Sequence, residues 1–171
     1  MHSRTFFMPD RSGYVVFESD VLLHMYGYAQ RYFYHSEAGG QLFSTSPHDS
    51  AIVVSVASGP NSRDKRRRHS FVPDAEQATV DRHIQFGLGR YSVGLWHTHP
   101  EPNPMPSGLD EATTKEWLND FHGTMHGFLL AIVGNRGVPP PLTLWLARTS
   151  DPRDWIRLDE ACPNSANKDI V

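Results

Sequence analysis

Runs of apolar residues with two different periods divide the chain into short strands and helices. Tyr14-Val15-Val16-Phe17 is aromatic and β-branched and follows the turn-forming Arg11-Ser12-Gly13, which predicts a strand. Beyond the N-cap candidates Ser19 and Asp20 the period changes: from Val21, apolar residues recur at Leu22, Met25, Tyr26, Ala29, Tyr32 and Phe33. That spacing predicts one helix with a core-facing stripe, ending before Gly39-Gly40. Gln41-Leu42-Phe43-Ser44 reads as the next strand. The continuous apolar run from Ala51 to Ala57, stopped by Ser58-Gly59-Pro60, reads as a buried central one.

Ser70-Phe71-Val72-Pro73 returns as a short strand. Asp74 then caps a helix from Ala75 to about Leu88, with Val80, Ile84 and Phe86 expected inward and Gly87 and Gly89 closing it. Tyr91 to Trp96 is a strand, and Leu109, Trp117, Leu118 and Phe121 mark a further helix that Gly123 stops. Gly127 to Val133 and Leu142 to Ala147 are two more strands joined by a Gly/Pro loop, and Asp154 to Leu158 adds an edge strand. Helices interspersed with strands, not in strict alternation, predict an α/β fold with a mixed, strongly curved sheet.

A chain of 171 residues fits one domain, expected over 1–160, with 161–171 as a flexible tail. The formal net charge of -3 argues against a dedicated nucleic-acid binder. One marked basic run breaks the pattern, from Asn61 to His69 and including Arg66, Arg67 and Arg68. Such runs are most often solvated loop; as a docking surface this one suits an acidic protein, because no aromatic platform for single-stranded nucleic acid accompanies it. The single cysteine, Cys162, excludes an internal disulfide and a Cys-rich zinc ribbon, so a metal must use His and carboxylate ligands. No apolar run approaches the ~20 residues of a membrane span, and the first residues carry no secretory signal, so a soluble cytoplasmic protein is expected.

The strand at Tyr91 leads directly into His97-Thr98-His99, and strand geometry points both imidazoles to one face. Two neutral imidazoles can grip one metal ion, and a catalytic zinc takes three protein ligands with the fourth position left for water. Pro100, Pro102, Pro104 and Pro106 cannot continue the strand comfortably; the chain must turn, and can return Asp110 as the third ligand. Ser107-x-x-Asp110 also resembles a capping box at a helix start, a role that alone would justify both residues. His122 and His126 are four apart, but Gly123 ends the helix between them and no glutamate follows His122, so they are not read as a metal pair.

The spacing His97-x-His99, seven residues, Ser107-x-x-Asp110 resembles the signature of the JAMM (MPN-plus) metalloproteases, and Trp96 and Pro100 are similar to its bacterial JAB branch. That resemblance implies one more part, a glutamate in a Glu-x-Gly-Gly context, and Glu37-Ala38-Gly39-Gly40 supplies it. The likeness runs from Tyr14 to Leu146. It implies an incomplete β-barrel flanked by helices, one zinc per chain on His97, His99 and Asp110, Glu37 as general base and Ser107 as oxyanion donor. It also implies cleavage after the C-terminal tail of a ubiquitin-like or other conjugated protein, by deconjugation or precursor processing. Stand-alone bacterial members resemble deconjugases, some of them in antiphage operons with E1-like and E2-like partners. The basic run at Arg66, Arg67 and Arg68 would serve as a substrate-docking surface. A second, structural zinc of the kind endosomal members carry is not expected with one cysteine. The rival expectation is a metal-free MPN-type scaffold; such members have typically lost ligands, whereas all five positions stand here. A zinc deaminase is excluded by the missing Pro-Cys-x-x-Cys ligands.

Overall fold

The segments richest in β-branched and aromatic residues pair into one curved sheet. The computed structural model describes residues 2–119, 127–148 and 151–161. In chain order its elements are β1 (Arg4–Phe7), β2 (Tyr14–Phe17), α1 (Ser19–Gly27), β3 (Gly39–Ser44), β4 (Ala51–Ala57), β5 (Lys65–Arg67), β6 (Ser70–Val72) and α2 (Ala75–Gly87). There follow β7 (Tyr91–Thr98), α3 (Gly108–Asn119), β8 (Phe128–Val133), β9 (Leu142–Ala147), β10 (Ile156–Arg157) and β11 (Asp159–Glu160).

Nine strands form the main sheet in the order β10-β9-β8-β7-β3-β4-β2-β1-β11, and β5 and β6 pair apart from it as a hairpin. The sheet is mixed: β2 runs parallel to β4 and β7 parallel to β8, while the remaining pairs are antiparallel. Its two outermost strands are separated in sequence by Leu158 alone. One short segment can edge both ends of a nine-stranded sheet only if the ends come together, so the sheet curls into a nearly closed barrel. The expected mixed, curved α/β architecture is the one observed.

The curl gives two apolar layers. Val15, Phe17, Leu42, Val54, Trp96, Leu129, Ala131 and Leu144 pack with Val21, Leu22 and Met25 of α1. On the opposite face Leu95, Phe128, Leu130 and Ile132 pack under Trp117 and Leu118 of α3. Every residue of β8 is buried, as a strand covered on both faces requires. β4, expected to be buried throughout, instead alternates: Ile52 and Val54 are buried and Val53 and Ser55 half-buried.

The first helix is shorter than its apolar spacing predicts. It ends at Gly27 with Tyr28 as cap, and the chain then turns through hydrogen bonds from Arg31 N to Ala29 O and from His35 N to Tyr32 O. Ala29 still reaches the core, but Tyr32 and Phe33 do not: they are 58% and 80% exposed, with Tyr32 stacked on Tyr34. Likewise Val80, Ile84 and Phe86 of α2 face outward, because the helix meets the sheet through Ala78, whose carbonyl accepts from Gln41 Nε2 at 2.8 Å. β1, which carries no clear sequence signal, pairs with β2 along its whole length. The basic run, expected as loop, contributes β5, with all three residues exposed. Phe121, His122, Gly123, His126, Cys162 and the expected tail beyond it lie outside the described residues. No described helix is long and apolar enough to cross a membrane.

Candidate metal centre

β7 ends at Thr98, so it holds His97 and delivers His99 one residue beyond its end. Its register with β3 pairs His97 with Gly39. The same ladder continues past the end of β3, where Thr98 N donates to Ala38 O at 2.8 Å and Ala38 N to Thr98 Oγ1 at 3.0 Å. By that register Glu37 lies opposite His99, and cross-strand partners share a face, so Glu37, His97 and His99 stand together. The glycines after Glu37 permit this approach. A Cβ on Gly40 would meet Ser58 O at 1.9 Å, and one on Gly39 would meet Trp96 O at 2.6 Å.

The prolines bend the chain away and it is then fastened down: His99 N donates to Val133 O, Asn135 N to Glu101 O and Thr143 Oγ1 to Pro104 O. α3 begins just after Ser107, with a reciprocal cap in which Ser107 N donates to Asp110 Oδ2 at 2.6 Å and Asp110 N to Ser107 Oγ at 3.4 Å. The cap sets Asp110 against the histidines. Its Oδ1 lies 3.1 Å from His97 Nε2 and its Oδ2 3.2 Å from His99 Nε2, and the two Nε2 atoms are 3.0 Å apart.

Three donor atoms that close, two of them imidazole nitrogens, suit a shared cation. Four ligands at ~2.0–2.1 Å from zinc in a tetrahedron lie roughly 3.3–3.4 Å from one another, near the separations seen here. The donor set of two imidazoles and one carboxylate is one that zinc accepts, and a three-ligand site leaves a position for water. His99 is also braced from behind, its Nδ1 lying 3.2 Å from Glu101 Oε2, the carboxylate–imidazole arrangement that orients metal ligands.

Comparison with known proteins agrees. The family described as prokaryotic homologs of the JAB domain matches residues 18–155. The chain belongs to that family. It is 39% identical over 84 residues to a CD-NTase/cGAS isopeptidase of Pseudomonas aeruginosa, a match covering 47% of this chain and 51% of that protein. The match thus spans about half the length of that relative. To a CD-NTase/cGAS isopeptidase of Escherichia coli it is 28% identical over 135 residues, covering 77% of this chain and 83% of that protein. Among solved structures, a protein of Desulfitobacterium hafniense superposes with a TM-score of 0.58 at 18% identity, over 85% of this chain and 88% of that one. A protein of Salinibacter ruber gives a TM-score of 0.50 at 24% identity, over 88% and 92%. At these identities the two structures speak for the fold alone.

Within this JAB domain the electrostatics separate the carboxylates. Burial alone would raise the pKa of Asp110, but His97, then His99 and the Ser107 N–H, hold it well below the usual carboxylate range. Burial would lower His99, yet the hydrogen bond and charge of Asp110, helped by Glu37 and Glu101, leave it raised. Glu37 is 4% exposed. Burial pushes its pKa up to about 7, opposed by the charge of His99 and reinforced by Asp110 and Glu101. A buried carboxyl poised near neutrality beside a candidate metal site has the properties of a general base.

The surroundings of Glu37 carry no signal in a linear reading. Its backbone N–H donates to Arg67 O and its carbonyl accepts from Arg66 Nε, both at 2.7 Å, so the basic hairpin grips the residue from above. Arg68 Nη1 donates to Phe33 O, and Arg67 alone of the three arginines has no side-chain partner among the described residues. Buried Gln30 joins the same network, donating to Arg68 O at 2.8 Å and to His35 O at 3.1 Å. Arg66 and Arg67 are far from Glu37 in sequence, and only the fold brings them to it. On the sheet side, a cavity of about 30 Å³ reaches His97 and Asp110, with Gln41, Thr114 and Trp117 in its wall.

Proposed function

We propose that this JAB-family chain is a zinc metallo-isopeptidase, hydrolysing the amide that joins the C-terminal tail of a ubiquitin-like or other conjugated protein to an amine of its partner. The convergence of His97 Nε2, His99 Nε2 and the Asp110 carboxylate at 3.0–3.2 Å carries the reading. His97, His99 and Asp110 would hold one zinc ion, which supplies an acidified water and an electrophile for the scissile carbonyl.

The chain's own groups complete the hydrolysis. Glu37 takes the proton of the attacking water at a carboxylate oxygen as the new C–O bond forms. It then delivers that proton to the amine nitrogen as the C–N bond breaks, and the second water proton passes from the new carboxyl to the released amine, leaving a free carboxylate and a free ammonium. Ser107 accepts the Asp110 N–H through an oxygen lone pair, which leaves its own O–H to donate to the carbonyl oxygen as charge gathers there. An extended tail can enter by adding a strand at a sheet edge. Docking of an acidic partner surface by the run Arg66, Arg67 and Arg68 narrows to Arg67, since Arg66 and Arg68 already donate to backbone carbonyls.

Both relatives are named CD-NTase/cGAS isopeptidases, which supports a CD-NTase as the conjugated protein. We place the reaction in the cytoplasm, in an antiphage conjugation system with E1-like and E2-like partners. The test is zinc content per chain, together with cleavage of an isopeptide library in which varied C-terminal tails are joined to lysine Nε. About one zinc, and release of free tail and free lysine that Glu37→Gln abolishes, is expected. A folded chain that takes up no supplied zinc ends the reading in favour of a metal-free scaffold.

A further inference from the structure

The acid–base carboxylate of the proposed reaction sits outside regular structure. β3 begins at Gly39, so Glu37 belongs to the end of an eleven-residue connection, 28–38, leading from α1. A general base must nonetheless be held closely, because a misplacement of roughly 1 Å can cost about a hundredfold in rate. The flanking Ala38 is tied to Thr98 in both directions. On Glu37 itself, the N–H is held by Arg67 O and the carbonyl by the Arg66 guanidinium.

We propose that Arg66 is a positioning residue for Glu37, locating the base through its backbone carbonyl while leaving its carboxylate free to take a proton. The proposal rests on the reading of Glu37 as general base. The distinction between the two oxygens matters chemically. A guanidinium on the carboxylate would occupy its lone pairs and stabilise its charge, weakening it as a base; on the carbonyl it fixes the main chain and does neither directly.

Arg66 is itself placed by the body of the domain. Its guanidinium carbon lies 5.9 Å from the ring centroid of Tyr28, which packs 6.0 Å from Trp96, the residue before His97. Trp96 is buried and donates through Nε1 to Ser58 O at 2.9 Å. A line of contacts thus runs from the strand bearing the histidines, through Trp96 and Tyr28, to the side chain that holds the base. Arg68 supplies the contrast. It fastens the same hairpin to the 28–38 connection, but at Phe33 O, away from Glu37.

Arg66→Met keeps a long apolar stem and loses the donor; Arg68→Met removes the same charge from the same hairpin without touching Glu37. Both would be compared with the parent by amide hydrogen exchange at Glu37, by the carboxyl carbon resonance of Glu37 (assigned with Glu37→Gln), and by zinc content. Arg66→Met is expected to speed exchange at the Glu37 amide by about tenfold or more and to shift or broaden its carboxyl signal. Zinc content and exchange in β7 and β8 should stay at parent values, and Arg68→Met should leave Glu37 unchanged. On any library isopeptide that the parent cleaves, Arg66→Met should lower kcat with KM nearly unaltered. The proposal is overturned if Glu37 in Arg66→Met matches the parent, or if Arg68→Met disturbs Glu37 as much, which would make Arg66 a fastener of the hairpin only. A parent that binds no zinc would sink the isopeptidase reading and leave the exchange comparison to decide the placement of Glu37 by itself.

Discussion

Ser107 and Asp110 cap each other across the first turn of α3, each donating its backbone N–H to the other's side chain. The carboxylate that secures the helix start is therefore the same one that meets His97 and His99. The observed cap and the proposed chemical roles fall on one pair, and they can be separated. The Asp110 N–H to Ser107 Oγ distance of 3.4 Å is long, so Ser107→Ala should lower unfolding stability by less than about 1 kcal/mol. Loss of the proposed oxyanion donor should cost about 10²–10³ in kcat. Thermal melts beside cleavage rates check this; a rate loss no larger than the stability loss explains would leave Ser107 as a cap alone.

Metal removal is predicted to act on stability as well as activity. A ligand that binds only the folded chain stabilises it by about 2.7 kcal/mol at a hundredfold excess over Kd. A chelator should therefore lower the melting temperature of the parent by several degrees, and supplied zinc should restore it. In His97→Ala and Asp110→Ala the melting temperature should respond to neither. A chelator-sensitive melt persisting in both variants would place the responsive metal elsewhere.

In the metal-free protein the site predicts an unusual pH dependence. Glu37 is raised from 4.5 to about 7, so between those values the folded state holds a proton that the unfolded state has lost, and stability falls as pH rises. The raised pKa of His99 acts with the same sign above its ordinary 6.5. Asp110, lowered from 3.8, acts oppositely and withdraws stability as pH falls below that value. The site's contribution to metal-free stability should thus be greatest near pH 4–5 and decline toward pH 8, with Glu37 responsible for on the order of 1–3 kcal/mol of the decline. Glu37→Gln should remove the Glu37 share and make that slope shallower. Urea denaturation at pH 5 and pH 8 on chelated protein makes the comparison, and a slope unchanged by the substitution would contradict it.

The parts legible in the sequence are those whose signal is local. The period-two placement of His97 and His99, the Ser107 to Asp110 spacing and the runs at β7, β8 and β9 each depend on neighbours within a few residues. Pattern and structure part where tertiary context overrides a local signal. Tyr32 and Phe33 continue the helical spacing of α1, but the chain has already turned at Gly27, and both rings pack outside against Tyr34. Val80 and Ile84 look like a core stripe, yet α2 turns the small Ala78 to the sheet and leaves them in solvent. The basic run stands out in the sequence for its charge, whereas its backbone carbonyl at Arg67 and its Arg66 side chain hold a residue some thirty positions earlier. No periodicity reports such a contact.

Two glycines give opposite predictions from one substitution. Gly27 ends α1 with nothing within 4 Å of where an added methyl would sit, so Gly27→Ala should stabilise by about 0.5–1 kcal/mol through helix propensity and a less flexible unfolded chain. Gly40 is crowded by Ser58 O at 1.9 Å, and backbone cannot swing aside as a side chain can. Gly40→Ala should therefore force β3 away from the Ser58 segment and destabilise by roughly 1–3 kcal/mol or more. Because β3 begins two residues after Glu37, the same displacement should move this proposed base from its place opposite His99. Activity should then fall further than stability, while metal content, which His97, His99 and Asp110 would set, holds. Chemical denaturation, metal analysis and cleavage rate on the two variants separate these effects, and a Gly40→Ala chain with parental rate would show that the close approach serves packing and not the position of Glu37.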